Sequence, residues 1–283
     1  MANGNVAPSR VIEGQVAKLA RTIHGIAYDP VHDEIIVTNP LASAVLVFRG
    51  GANGDEAPIR VIQGPRTRLL KPETVSVDVV NGEIIVADPG EKSVLLFRHD
   101  ANGDVAPARV LQGPKTKLGW VIGTAVDPIR NVLVVANHLS VGQSGLFIFN
   151  RTDNGDVAPR AIILGPKTGI VSGPWQVQIS QGKIFVAVTN GPYNPLYDLI
   201  KPRQGLRPNV EIKSPWRSDI LGAVAVWDIT DNGDIPPRAI IKGPVSGLVH
   251  PGGVAINPKN GEIYAVDSVR NGLFTYLVPE FFN

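Results

Sequence analysis

The sequence predicts an all-β fold: a single five-bladed β-propeller closed by its N-terminal strand. Three observations carry that expectation. A motif recurs near a 50-residue period, each repeat contains short apolar runs of strand length, and the strand count is mismatched between the two ends of the chain. The motif is Asn-Gly followed by Asp or Asn. It begins at Asn3, Asn53, Asn102, Asn154 and Asn232, so successive copies start 50, 49, 52 and 78 residues apart. Self-similarity at such a period signals a propeller or a solenoid.

The second full repeat shows the unit. Thr74–Asp78 alternates in polarity, Glu83–Ala87 follows Asn81-Gly82, Ser93–Phe97 comes next, and Ala108–Leu111 closes the unit after Asn102-Gly103. β-branched runs bounded by Asn-Gly signal hairpins, with Asn-Gly as a type I′ turn. Four antiparallel strands per repeat, A to D from inner to outer, make a propeller blade. The first motif is followed by a D-type strand, Pro8–Ile12, with no A, B or C strand before it. The last unit has A (Gly253–Asn257), B (Glu262–Val266) and C (Leu273–Leu277) and then stops. Letting the N-terminal strand complete the last blade removes an open sheet edge. An open solenoid would instead need capping repeats.

The repeat runs through residues 1–283 and predicts one domain, with an insertion at 191–221 in blade four that accounts for the long interval. Net charge is +2, too weak for a nucleic-acid partner. No apolar run is long enough to span a membrane as a helix. The chain has no cysteine, which excludes disulfides, thiolate ligands and a cysteine nucleophile. The start, Met1-Ala2-Asn3-Gly4, is not an apolar leader and opens on the first motif, as a trimmed, secreted form with an added Met would. The expected location is therefore extracytoplasmic.

Two stretches resemble the NHL-type propeller repeat: Gly25-Ile26-Ala27-Tyr28-Asp29 with Asp33-Glu34-Ile35-Ile36-Val37-Thr38-Asn39, and Glu83-Ile84-Ile85-Val86-Ala87-Asp88-Pro89. The wider resemblance is to the gluconolactonase and senescence-marker-protein propellers. It implies a propeller that serves as a binding platform or as an enzyme scaffold, so function has to come from a site. Those relatives usually have six blades, against five here, and the lactonase metal constellation has no complete match.

Aligning the repeats on the end of strand A sets Asp29, Asp78, Asp127, Ser180 and Asn257 in register. Five residues earlier lie His24, Glu73, Ile122, Trp175 and Gly252, and two further back lie Thr22, Lys71, Trp120, Gly173 and His250. The B–C corner supplies Asn39, Asp88, Asn137 with His138, Thr189 and Asp267. The D–A and B–C loops share one face, at the mouth of the central channel. The repeated Asp and Asn residues read as turn devices that bond their own backbone. The non-repeated residues are more informative, because the blade does not require them.

His24, Glu73, His138 and His250 are accordingly the candidate ligands for one divalent metal ion: Zn, Cu, Fe or Mn with imidazole and carboxylate, or Ca with oxygen donors. Trp120 and Trp175, with Tyr193, Tyr197, Trp216 and Arg217 of the insertion, are the candidate ligand-binding residues. The aromatic rings would stack on a ligand and the arginine would pair with an anion. The partner is a small molecule, a glycan or a protein. Two functions fit: a binding propeller with a polar site at the channel mouth, or a metal-dependent hydrolase, lactonase or lyase using the same site. A glycosidase pair drawn from Glu73, Asp88 and Asp267 is a weaker option. The Asn-Gly-Asp turns lack the bidentate Glu of a calcium loop. No Gly-x-Ser-x-Gly, Walker, His-Glu-x-x-His or dinucleotide motif is present.

Overall fold

The computed structural model describes residues 7–139, 143–170, 173–189 and 222–282. The insertion with Tyr193, Tyr197, Trp216 and Arg217, and the first motif at Asn3, lie outside the described residues. Nineteen strands and six short 3-10 turns are seen among the described residues.

Blade one holds β1 (Ile26–Asp29), β2 (Glu34–Asn39), β3 (Ala44–Arg49) and β4 (Arg60–Gln63). Blade two holds β5 (Thr74–Asp78), β6 (Glu83–Asp88), β7 (Ser93–Arg98) and β8 (Arg109–Leu111). The third set is β9 (Trp120–Asp127), β10 (Val132–His138), β11 (Gly145–Asn150) and β12 (Ala161–Ile163). Blade four is β13 (Gly173–Ser180), β14 (Lys183–Thr189), β15 (Ala223–Asp228) and β16 (Ala239–Lys242). Blade five is β17 (Pro251–Asn257), β18 (Glu262–Asp267) and β19 (Gly272–Leu277). Neighbours in sequence pair antiparallel, as in blade one, where Val37 faces Ile26 on one side and Leu46 on the other. These are the five blades of a β-propeller.

Two compact units divide the chain: 1–128 with 152–158, and 129–151 with 159–283. The first contains blades one and two and β9. The second contains β10 to β12 and blades four and five.

Local chemistry explains the strands. β6 is buried along its whole length, which is why Glu83–Asp88 reads as an apolar run rather than alternating. In the first unit, Ile36, Val45, Val47 and Ile62 of blade one pack on Ile84, Val86, Leu95 and Phe97 of blade two. The other face of blade one, Val37, Leu46 and Phe48, is covered by Ile12, Ala17, Leu19 and Ile23. In the second unit, Phe185, Val224 and Val226 pack with Val254, Ile263 and Phe282.

The A–B turns are built as expected from the Asp that ends strand A. Asp78 Oδ1 accepts from the amides of Val80 and Asn81 at 3.1 and 2.9 Å, and Asp29 Oδ1 does the same for Val31 and His32 at 2.8 and 3.2 Å.

The Asn-Gly-Asp segments differ from the type I′ reading. A type I′ turn needs φ > 0 at both central residues, and here only the glycines have it, from +69° at Gly54 to +87° at Gly233. The segment sits in the C–D connection and grips the preceding repeat. The Val61 amide donates to Asn102 Oδ1 at 3.0 Å, Gly103 N donates to Val61 O at 2.7 Å, and the Arg66 amide donates to Asp104 Oδ1 at 2.7 Å. The same bonds recur at Asn53–Asp55, Asn154–Asp156 and Asn232–Asp234. Each of the four described copies joins one repeat to the segment before it.

Blade five has three strands among the described residues, and residues 8–11 belong to no sheet. Ile12 makes an isolated parallel bridge with Gly54 of the following repeat. Closure by the N-terminal strand therefore stands as an expectation.

Candidate metal centre and polar site

Two polar clusters lie at opposite ends of β1, both inside the first unit. One precedes the strand, on the D–A side, and contains three of the residues singled out in the sequence. The other follows it, on the A–B side.

The first is organised by Asp88 at the end of β6. Its buried carboxylate accepts from the amides of Leu70 and Lys71 at 2.7 and 3.0 Å, and from Gly90 and Glu91 at the following turn. Burial pushes this carboxyl upward in pKa against those four amides. The grip fixes the chain that leads through Lys71 to Glu73. Glu73 is buried, and the His24 Nδ1–H donates to its Oε1 at 2.6 Å. Its Oε2 is buried without a hydrogen bond, with Lys71 Nζ at 3.8 Å. Lys71 Nζ also lies 4.3 Å from the ring centroid of Trp120, which is 44% exposed. The Glu73 hydrogen bond holds the His24 pKa above its ordinary value, with burial and Lys71 opposing. Beside His24 opens a cleft of about 380 Å³ with apolar walls that include Leu19, Ile23, Val37 and Phe48.

The remaining described candidates lie in the second unit. His138 Nδ1 meets Ser144 Oγ at 2.8 Å. His250 packs edge-on against Trp175 at 6.2 Å between centroids, and its Nδ1 meets Ser268 Oγ at 3.1 Å. Burial lowers the His250 pKa. The Trp175 indole N–H is committed to Thr189 Oγ1 at 3.0 Å. Asp267 repeats the Asp88 device, accepting from Val249 and His250 at 2.7 and 2.6 Å.

The second cluster was not read from the sequence as a site. Asp29, His32 and His99 each offer a ligand atom, all within 4.8 Å of one another, and together could hold a metal ion. His32 Nδ1 donates to Asp29 Oδ2 at 2.8 Å, and His99 Nε2 lies 3.7 Å from the same oxygen. The two imidazoles stack, with centroids 3.6 Å apart and planes 22° off parallel. His99 Nε2 also donates to Glu34 Oε2 at 2.7 Å, and Arg60 clasps both Glu34 oxygens at 2.6 and 2.7 Å. Burial pushes the Asp29 and Glu34 carboxyls up, but the hydrogen bonds from His32, Arg60 and His99 prevail and hold both below the ordinary range. His32 escaped notice because it sits in a turn already explained by Asp29. His99 escaped because it lies on the C–D side, away from the expected mouth. The usable signal was imidazole at turn positions where other repeats carry other residues.

No family model matches the chain, and no curated protein sequence matches it. Among solved structures, hydrazine synthase from Kuenenia stuttgartiensis is similar, with a TM-score of 0.55 and 12% identity over 93% of this chain and 58% of that one. The chain thus spans little more than half the length of that structure. At this identity the likeness shows the fold alone, and the class it supports is the β-propeller.

Proposed function

We propose that this chain is a ligand-binding β-propeller whose polar site is formed by His24, Glu73, Lys71 and Trp120. The observation that carries the reading is Glu73: a buried carboxylate with one oxygen bonded to His24 and the other lacking a hydrogen bond. Such an oxygen is costly to bury unless a donor reaches it. A small molecule bearing hydroxyl groups supplies that donor once Lys71, 40% exposed at its side chain, swings aside. His24 and Lys71 then donate to its oxygens, Trp120 offers an aromatic face, and the cleft beside His24 takes an apolar portion. Sites of this kind combine apolar walls with a few convergent polar groups.

The test is saturation-transfer NMR against a panel of neutral sugars and hydroxylated aromatic compounds. Bound compounds should lose their signal in Glu73→Gln and in Trp120→Ala. Compounds that bind both variants as well as the parent, or a panel with no binder, would count against the reading.

A further inference from the structure

We propose that Asp29, His32 and His99, with Glu34 as a fourth donor, form a binding site for a first-row divalent transition metal, and that the bound ion ties the A–B turn of blade one to the C–D connection of blade two. The site stands apart from the His24–Glu73 cluster, at the other end of β1.

Donor chemistry comes first. Two imidazole nitrogens with carboxylate oxygens suit Zn, Fe, Mn, Ni or Cu and are a poor set for calcium, which takes oxygen ligands. Geometry comes second. Ligands about 2.0–2.1 Å from a tetrahedral ion lie roughly 3.3–3.5 Å from one another. The donor pairs here span that value, at 2.8 Å for His32 Nδ1 to Asp29 Oδ2, 3.7 Å for His99 Nε2 to Asp29 Oδ2 and 2.7 Å for His99 Nε2 to Glu34 Oε2. The donor atoms therefore lie within reach of one ion, and the two imidazoles, stacked 22° from parallel, must splay so that each in-plane lone pair aims at it. The protons now on His32 Nδ1 and His99 Nε2 leave those nitrogens, either to the other nitrogen of each ring or to solvent.

The surrounding groups are already fixed. Asp29 Oδ1 is held by two backbone amides, which leaves Oδ2 to face the histidines. Arg60 orients Glu34 and also donates to the His99 carbonyl at 3.1 Å. Partners of this type orient metal ligands and stiffen a site.

The repeat shows that the fold does not need either imidazole. In blade two the place of His32 is taken by Asn81, whose Nδ2 donates to Asp78 Oδ2 at 2.8 Å, the same bond that His32 makes to Asp29. The place of His99, just after strand C with its amide bonded to the A–B turn, is held by Gly50, Arg151, Ile229 and Val278 in the other repeats. An asparagine serves the turn, and unrelated residues serve the C–D position. Among the described residues, only blades one and two bring two histidines against one carboxylate.

The same comparison supplies the test. His32→Asn copies the turn of blade two, so the fold is kept and the imidazole removed. The full chain without a His-tag, stripped with chelator, is titrated with Zn²⁺ by calorimetry and its metal content measured. The parent should bind one Zn²⁺ per chain. At about 100-fold excess over Kd the melting temperature should rise by roughly 5–10 °C. His32→Asn and His99→Gln should each weaken binding about 10–100-fold, while His250→Ala binds as the parent does. If the parent binds no Zn²⁺, Mn²⁺ or Ni²⁺ at micromolar concentration, or if the His32→Asn/His99→Gln double variant retains the ion, the site is not there. Failure here leaves the His24–Glu73 reading intact, because that reading is tested by organic ligands and other variants.

Discussion

Asp104→Ala is expected to loosen the joint between the first two blades by a predictable amount. Asp104 Oδ1 accepts one bond, from the Arg66 amide at 2.7 Å, at the start of the 3-10 turn Pro65–Thr67. A carboxylate capping a backbone N–H is worth about 0.5–2 kcal/mol when replaced by alanine, typically about 1. The bond is exposed, so water replaces part of it, and about 1 kcal/mol is the appropriate magnitude. That corresponds to a drop in melting temperature of roughly 2–4 °C. Asp156→Ala and Asp234→Ala each remove one equivalent bond, to the Lys115 and Lys167 amides, and should cost the same. Asp55→Ala removes two, to Val16 and Ala17, and should cost more. Asp104→Asn keeps an acceptor oxygen without the charge and should fall between parent and alanine. The assay is thermal melting by circular dichroism together with hydrogen exchange at the Arg66 amide, which should lose about five-fold protection for about 1 kcal/mol of local stability. An Arg66 amide that exchanges as in the parent, with an unchanged melting temperature, would refute the claim that the motif is a joint between repeats.

Two further outcomes concern titration. Glu73→Gln should drop the His24 pKa below its ordinary 6.5, because the Glu73 bond raises it while burial and Lys71 lower it; NMR titration of the imidazole reads this directly. The raised value means that the His24–Glu73 pair stabilises the fold fully below 6.5 and less as pH rises through the folded pKa, and Glu73→Gln, with the His24 pKa now below 6.5, should reverse the sign of that pH dependence. A His24 pKa unchanged in Glu73→Gln would contradict the pairing. Tyr276, whose hydroxyl donates to Ser246 O at 2.6 Å, is pushed up to about 12 chiefly by burial. Ultraviolet titration should show a phenol ionisation near pH 12 that is lost in Tyr276→Phe, and stability should decline between pH 10.0 and about 12. Ionisation of all tyrosines in one phase near their ordinary value would contradict it.

The architecture was legible because repetition writes it five times. Strands β5 to β7 and β17 to β19 fall within two residues of where alternation and turn residues place them, and Asp29 and Asp78 at the ends of strand A and Asn39, Asp88 and Asp267 at the ends of strand B hold turns as their spacing suggested. The role of Asn-Gly-Asp was only half legible. Its glycine needs positive φ, but its asparagine and aspartate bond to residues 38 to 44 positions earlier in three copies and 67 to 70 in the copy after the insertion, which no local turn rule contains. The polar site was partly legible: aligning repeats set His24 and Glu73 at equivalent positions of adjacent blades, and adjacent inner strands bring equivalent positions together. His138 and His250 belong to the second unit with partners of their own. The Asp29–His32–His99 cluster was hidden for a different reason. It pairs an A–B turn of one blade with a C–D position of the next, and only the sideways packing of blade on blade reveals that proximity.

Imidazole NMR under Zn²⁺ titration decides where the ion binds, since the chain has five histidines and each has a distinct setting. The nitrogen resonances of His32 and His99 should shift together and saturate at one Zn²⁺ per chain, while those of His24, His138 and His250 stay in place. A shift of His24, His138 and His250 with His32 and His99 unmoved would contradict it, and would assign the ion to the D–A and B–C loops instead.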